Sequence, residues 1–247
     1  MRKISLILFT TLFVLTSGVV QAKPDITDSQ IRAEIQDRLY HASVFKHGQV
    51  QATYANGVAT LTGSVDSLAV RDDAAKSIRK VKKVSKIVNQ IAINTEDTTD
   101  RQIAMSARKQ VVLYPFFTVF DWITFKSQDH QLTVSGYVTD PFKKTDIGRL
   151  MEQVKGVTEV KNNVEVLPTS IADNQVRMAI ARAIYSDPYF EGLGAQALSP
   201  IHIIVKNLNV TLYGVTNSPV DRARAERDAR FAATYFSLID NLAVEHS

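Results

Sequence analysis

The chain of 247 residues contains no cysteine, which excludes disulfides, thiolate metal sites and a thiol nucleophile. It also lacks the short signatures that carry most catalysis. There is no G-x-S-x-G, no H-E-x-x-H and no glycine loop to cradle a phosphate. The five histidines (His41, His47, His130, His202, His246) are scattered, with no i, i+4 pair to ligate a metal. His202 sits in an apolar strand and reads as a structural histidine. No large charge surplus is present: the formal net charge is +4, far from that of a dedicated nucleic-acid binder. Catalytic residue, metal ligand and cofactor are therefore all expected to be absent.

The N-terminus has a different character. Arg2 and Lys3 precede an apolar stretch, Ile4–Leu15, and Val20-Gln21-Ala22 supplies small residues where a signal peptidase reads. This pattern predicts a secretory signal peptide over 1–22, cleaved after Ala22, and hence a periplasmic protein. The apolar run is too short and too rich in Ser and Thr to span a bilayer comfortably, and no later stretch is long enough. No Cys follows the cleavage site to carry a lipid anchor. Removing Arg2 and Lys3 leaves Lys+Arg 27 against Asp+Glu 25. The balance is uneven: residues 26–93 carry ten basic and six acidic side chains.

The rest of the chain is a repeat. Asn56–Ile93 aligns with Asp129–Val166 at an offset of 73 without a gap. Thr60/Thr133, Gly63/Gly136, Val65/Val138, Asp73/Asp146, Val81/Val154 and Asn89/Asn162 are identical pairs. A third copy follows at an offset of 151 from the first, where Thr211, Leu212 and Gly214 answer Thr60, Leu61 and Gly63. Three units are expected: 26–95, 98–168 and 170–246, joined by the short polar linkers Asn94–Thr98 and Pro168–Ser170.

Each unit opens with an Asp (Asp28, Asp100, Asp173) placed as a helix N-cap. An apolar stripe follows, as in Ile31, Ile35 and Leu39 or Val176, Ile180 and Ile184. Val50–Tyr54 and Val58–Leu61 flank Asn56-Gly57, the strongest short hairpin signal. The glycine after this second strand (Gly63, Gly136, Gly214) permits a close approach or a bend. A second helix and a closing strand complete the unit. The fold class is α+β: three tandem small αββαβ domains, each with two helices packed on one face of a three-stranded mixed sheet.

Val58-Ala59-Thr60-Leu61-Thr62-Gly63-Ser64-Val65 and Leu132-Thr133-Val134-Ser135-Gly136-Tyr137-Val138 share one pattern, closed by Val84–Asn89 and Gly156–Asn162. This pattern strongly resembles the BON domain, the bacterial osmotic-stress and nodulation module. Copy three departs from it, with Gly214-Val215-Thr216 and no Gly-Val before its last strand. The resemblance implies a non-catalytic module of exported bacterial proteins, associated with envelope integrity, osmotic protection and phospholipid surfaces. It supplies no active-site residue.

Two surfaces stand out. Lys76, Arg79, Lys80 and Lys83 form a basic stripe on the second helix of unit one, extended by Lys82 and Lys86. Such a stripe can meet anionic headgroups, or simply be a solvated helix face. In the aromatic stretch Tyr114–Phe125, Ile123 and Phe125 match core positions of unit one. Trp122, near Phe120, falls on the other face, where it either meets a membrane interface or packs on a neighbouring unit. The expected partner is an anionic phospholipid surface; the alternative is a protein-binding or chaperone-like scaffold for other exported proteins.

Overall fold

The computed structural model describes residues 26–190, 193 and 199–245. The predicted signal peptide lies outside the described residues. Unit one runs α1 (Asp28–His41), β1 (Gly48–Ala55), β2 (Val58–Val65), α2 (Leu68–Ile78) and β3 (Lys86–Ile93). Unit two runs α3 (Asp100–Val112), β4 (Trp122–Gln128), β5 (Gln131–Val138), α4 (Pro141–Glu152) and β6 (Glu159–Val166). Unit three runs α5 (Ile171–Tyr185), β7 (Ile201–Lys206), β8 (Asn209–Thr216), α6 (Pro219–Ala232) and β9 (Ser237–Val244). No described helix is long and apolar enough to cross a membrane.

Every sheet has the same topology. The first two strands form an antiparallel hairpin, and the third pairs in parallel with the second after the helical crossover. The alternating strand pattern turns one face toward the two helices. Unit one buries Ile31, Ile35 and Leu39 of α1 against Ala59, Leu61, Ile78 and Ile91. Burial of each large aliphatic side chain contributes about 1.5–3 kcal/mol. In unit three Ala229 stands where Ile78 and Met151 stand, and α5 and α6 pack on each other more extensively than the helix pairs of the other units.

The repeated glycine lies inside the second strand rather than after it. Gly136 has φ +132°, and a Cβ there would sit 1.9 Å from the Trp122 carbonyl oxygen across the ladder. Gly63 and Gly214 meet the carbonyls of Gln49 and Pro200 in the same way. The close approach requires glycine.

None of the three Asp residues expected as N-caps is the cap. The caps are Thr27 and Thr99, each in a capping box with Gln30 or Gln102, and Ser170 in unit three. Asp100 instead accepts the Asp129 and His130 backbone N–H groups, both at 3.0 Å, and the Ser127 hydroxyl at 2.6 Å. The Ser127 bond, with those from the turn amides, holds its carboxyl below the ordinary carboxylate value. Asp173, fully buried, accepts the Asn207 and Leu208 N–H groups at 2.9 and 2.8 Å. The carboxylate thus ties the first helix to the hairpin turn. Both central turn residues are left-handed in each unit: Asn56/Gly57, Asp129/His130 and Asn207/Leu208. Asn-Gly adopts that conformation readily, whereas Leu208 does so against its steric preference. Accordingly Asp28 is exposed and makes no such bond, while Asp100 and Asp173 hold the less willing turns.

Unit one is joined to unit two through Asp66. Its backbone carbonyl accepts the Gly156 N–H at 2.9 Å, and its carboxylate meets Lys155 at 3.0 Å and His47 at 3.2 Å. Burial opposes the charge of Asp66, but the Lys155 and His47 contacts prevail and hold its carboxyl below the usual value. Leu68 at the start of α2 packs into the core of unit two.

Two substitutions separate the clamp from a cap. Asp173→Ala leaves two turn amides unpaired and is expected to cost about 2–3 kcal/mol. Asp28→Ala should stay within about 0.5 kcal/mol of the parent. Urea unfolding followed by far-ultraviolet circular dichroism measures both; equal effects contradict the clamp.

Candidate functional site

The basic residues of unit one do not form a helical stripe. Helix α2 ends at Ile78, so of the six only Lys76 lies on it. Arg79, Lys80, Lys82 and Lys83 occupy the turn beyond, and Lys86 opens β3. Val81 is buried as the anchor of this turn. The Tyr54 hydroxyl donates to the Lys83 carbonyl at 3.1 Å, and the Gly57 carbonyl accepts the Ser85 N–H at 2.8 Å. All six basic side chains are exposed. Lys76 faces Asp73 at 3.5 Å, whereas Arg79, Lys80, Lys82 and Lys86 have no acidic partner among the described residues. The result is a cationic knob at the C-terminal end of α2, where the helix dipole also favours positive charge.

Trp122 and Phe120 lie at the junction of units two and three. Phe120 packs on the core of unit three. Trp122 stacks on Tyr213 at 5.2 Å with planes 9° apart, and its ring centroid lies 5.2 Å from that of His202. Trp122 pairs with Tyr137 across β4–β5, and His202 pairs with Tyr213 across β7–β8. The sheet faces that turn away from the helices of the two units therefore pack on each other. In unit one Gln49 and Ser64 stand where Trp122 and Tyr137 stand, and that face remains polar. Of the two readings of Trp122, the geometry matches packing on a neighbouring unit.

The junction has a polar hinge that sequence reasoning missed. Asp121 is fully buried and paired with Lys143 at 2.8 Å. It also accepts the Thr118 and Thr139 N–H groups, both at 2.9 Å. This network fixes the turn before β4 and so aims Phe120 and Trp122. One signal was available: unit one has Gly48 and Val70 at the matching places, so an opposite-charge pair replaces a small and an apolar residue.

His202 is buried in the same junction, with Nδ1 unpartnered. Burial lowers its pKa from 6.5, more than the nearby Asp121 and Thr118 carbonyls raise it. Among the described residues no group of three or more His, Asp or Glu side chains is placed to hold a metal.

A groove of about 790 Å³ opens beside the junction. It is lined by Arg101, Met105 and Arg108 of α3, by Trp122, Ile123, Thr124 and Phe125 of β4, and by Val215 and Glu245 of unit three.

The single tryptophan makes the junction observable. Tyr213→Ala is expected to shift Trp122 emission to the red while the far-ultraviolet spectrum is unchanged; an unmoved emission contradicts the stacking. The pH response has a definite sign. Below about 6.5 the unfolded chain protonates His202 while the folded chain resists. Stability therefore falls as pH drops below that value, until the lowered folded pKa is passed. His202→Gln should flatten this part of a stability–pH profile.

The model of the BON domain matches residues 27–95 and 99–168. No curated protein matches the chain. Among solved structures, the chain is similar to the C-terminal domain of CdsD, a structural protein of the type III secretion system of Chlamydia trachomatis. Identity is 14% over 85% of this chain and 96% of that one, with a TM-score of 0.27. A second CdsD structure gives 13% identity over 86% and 93%, with a TM-score of 0.26. Superposition at that level transfers no site residue. Units one and two match in both sequence pattern and topology, and the chain belongs to the BON domain family.

Proposed function

We propose that this is a non-catalytic, exported envelope protein that binds anionic phospholipid surfaces and supports envelope integrity under osmotic stress. Membership of the BON family, linked to phospholipid and to osmotic stress, sets the class. The observation that carries the reading is the cationic knob of unit one. Arg79, Lys80, Lys82 and Lys86 project from a pinned turn without acidic partners. Near an anionic bilayer each basic side chain contributes about 1 kcal/mol, so four acting together suffice for reversible attachment. Unit three, outside the family match but identical in topology, is read as a diverged copy. Its role is to dock on unit two. Phe120 and Trp122 serve that docking in this reading, and attachment rests on charge rather than on inserted aromatics.

Sedimentation of the purified protein with vesicles tests the proposal. Binding is expected to vesicles containing phosphatidylglycerol and not to phosphatidylcholine alone, with release at ~0.5 M salt as the Debye length shrinks. Replacing Lys80, Lys82 and Lys86 with Gln should weaken binding about a hundredfold, since ~3 kcal/mol is removed. Equal sedimentation with both lipids would sink the proposal.

A further inference from the structure

The first strand of each sheet is an edge strand. Its outward backbone groups can be identified from the hairpin. A two-residue turn makes the flanking pair hydrogen-bonded, and bonding alternates from there. In unit three the turn is Asn207-Leu208, so Lys206, Ile204 and His202 bond inward while Val205, Ile203 and Ile201 point out. The observed bonds obey this. The Val205 carbonyl accepts from Arg177 at 2.6 Å, the Ile203 N–H donates to the Val119 carbonyl at 2.7 Å, and the Ile201 carbonyl accepts from the Tyr185 hydroxyl. In unit one the outward Tyr54 carbonyl, at the register of Val205, accepts two N–H groups of Arg32 at 3.2 and 3.4 Å.

Unit two differs. Its outward groups belong to Ser127, Phe125 and Ile123. Ala104 holds the helix position of Arg32 and Arg177, four residues after the opening Asp, and cannot cap the edge. Among the described residues no hydrogen bond reaches the outward N–H or carbonyl of Phe125 or Ile123. Four consecutive residues, Trp122–Phe125, line the groove. Successive side chains point to opposite faces, so the feature common to all four is the strand's edge. Arg101 and Arg108 line the same groove, as does Glu245, and neither arginine has an acidic partner within ion-pair distance among the described residues.

We propose that the open edge of β4 takes up an extended peptide strand from another protein, with apolar side chains and at least one carboxylate. The peptide backbone would pair with Ile123, Phe125 and the Ser127 carbonyl, as Val119 pairs with Ile203 in unit three. Its apolar side chains would lie against Met105 and Val215, and its carboxylate between Arg101 and Arg108. This binding is separate from the lipid contact, which lies on unit one.

The test uses the full chain and a short fluorescein-labelled peptide of alternating valine and glutamate, read by fluorescence anisotropy. The peptide is expected to bind, and the same peptide N-methylated along its outward-paired amides should bind at least about tenfold more weakly, or ~1.4 kcal/mol. Ala104→Arg restores the side chain that units one and three carry and should cause a similar loss with Trp122 emission unchanged. Arg101→Glu with Arg108→Glu, both on the exposed helix face, should weaken the acidic peptide but not a valine–threonine one. The comparison of the two peptides decides even where a variant does not fold. Three results overturn the proposal: equal affinity for the two peptides, no peptide binding while dodecyl phosphate occupies the groove, or a wild-type dimer that Ala104→Arg dissociates, which assigns the edge to a second copy of the chain.

Discussion

A three-stranded sheet has as many edges as a larger one and less interior to protect them. Each unit must therefore satisfy, cover or use the outward N–H and carbonyl groups of its first strand. Much of what distinguishes the three units follows from how they meet this constraint. Unit one caps one outward carbonyl, that of Tyr54, with Arg32. Unit three uses Arg177, Tyr185 and a backbone carbonyl lent by unit two. Unit two has Ala104 at the capping position, and its edge faces a groove. The same architecture thus yields one module with a polar outer face, one docked module and one module whose edge lines a groove.

The second organising contact is the packing of two sheet faces through Trp122, Tyr137, His202 and Tyr213. It needs aromatics on the outward face of both units, and it needs the turn before β4 to be rigid. The buried Asp121–Lys143 pair meets the second need. A buried ion pair is poor evidence of net stability, because desolvating both charges offsets their attraction. Its value here is positional: the carboxylate collects two backbone N–H groups and an ammonium in one place. The proposed functions lie in what the copies do not share, with charge on unit one and the open edge on unit two.

Much of this was legible in the sequence, for identifiable reasons. Repetition, strand alternation and Asn56-Gly57 are local signals, and they led to the αββαβ unit with its three-stranded mixed sheet. Asp28, Asp100 and Asp173 were misread because an Asp at the start of a helix satisfies the capping rule; the Thr one residue before Asp28 and Asp100, with Gln30 or Gln102, satisfies it better, and in unit three Ser170 does so three residues before Asp173. The partner of Asp100 and Asp173 is a turn some thirty residues away, which no local rule sees. The basic residues of unit one were located, but α2 was drawn too long. Trp122 stayed open between solvent and a neighbour because only tertiary packing decides it. The contrast of Arg32, Ala104 and Arg177 is visible in the repeat alignment, but it acquires meaning only when the outward carbonyls are known.

The central claim is that unit two presents an unsatisfied strand edge where unit three does not. Native-state amide hydrogen exchange measures this directly, because Phe125 and Ile203 occupy equivalent positions and only Ile203 donates to a partner. The account predicts that the Phe125 amide exchanges at least about tenfold faster than that of Ile203, while the inward Thr124 amide stays protected. Equal protection of Phe125 and Ile203 would contradict it.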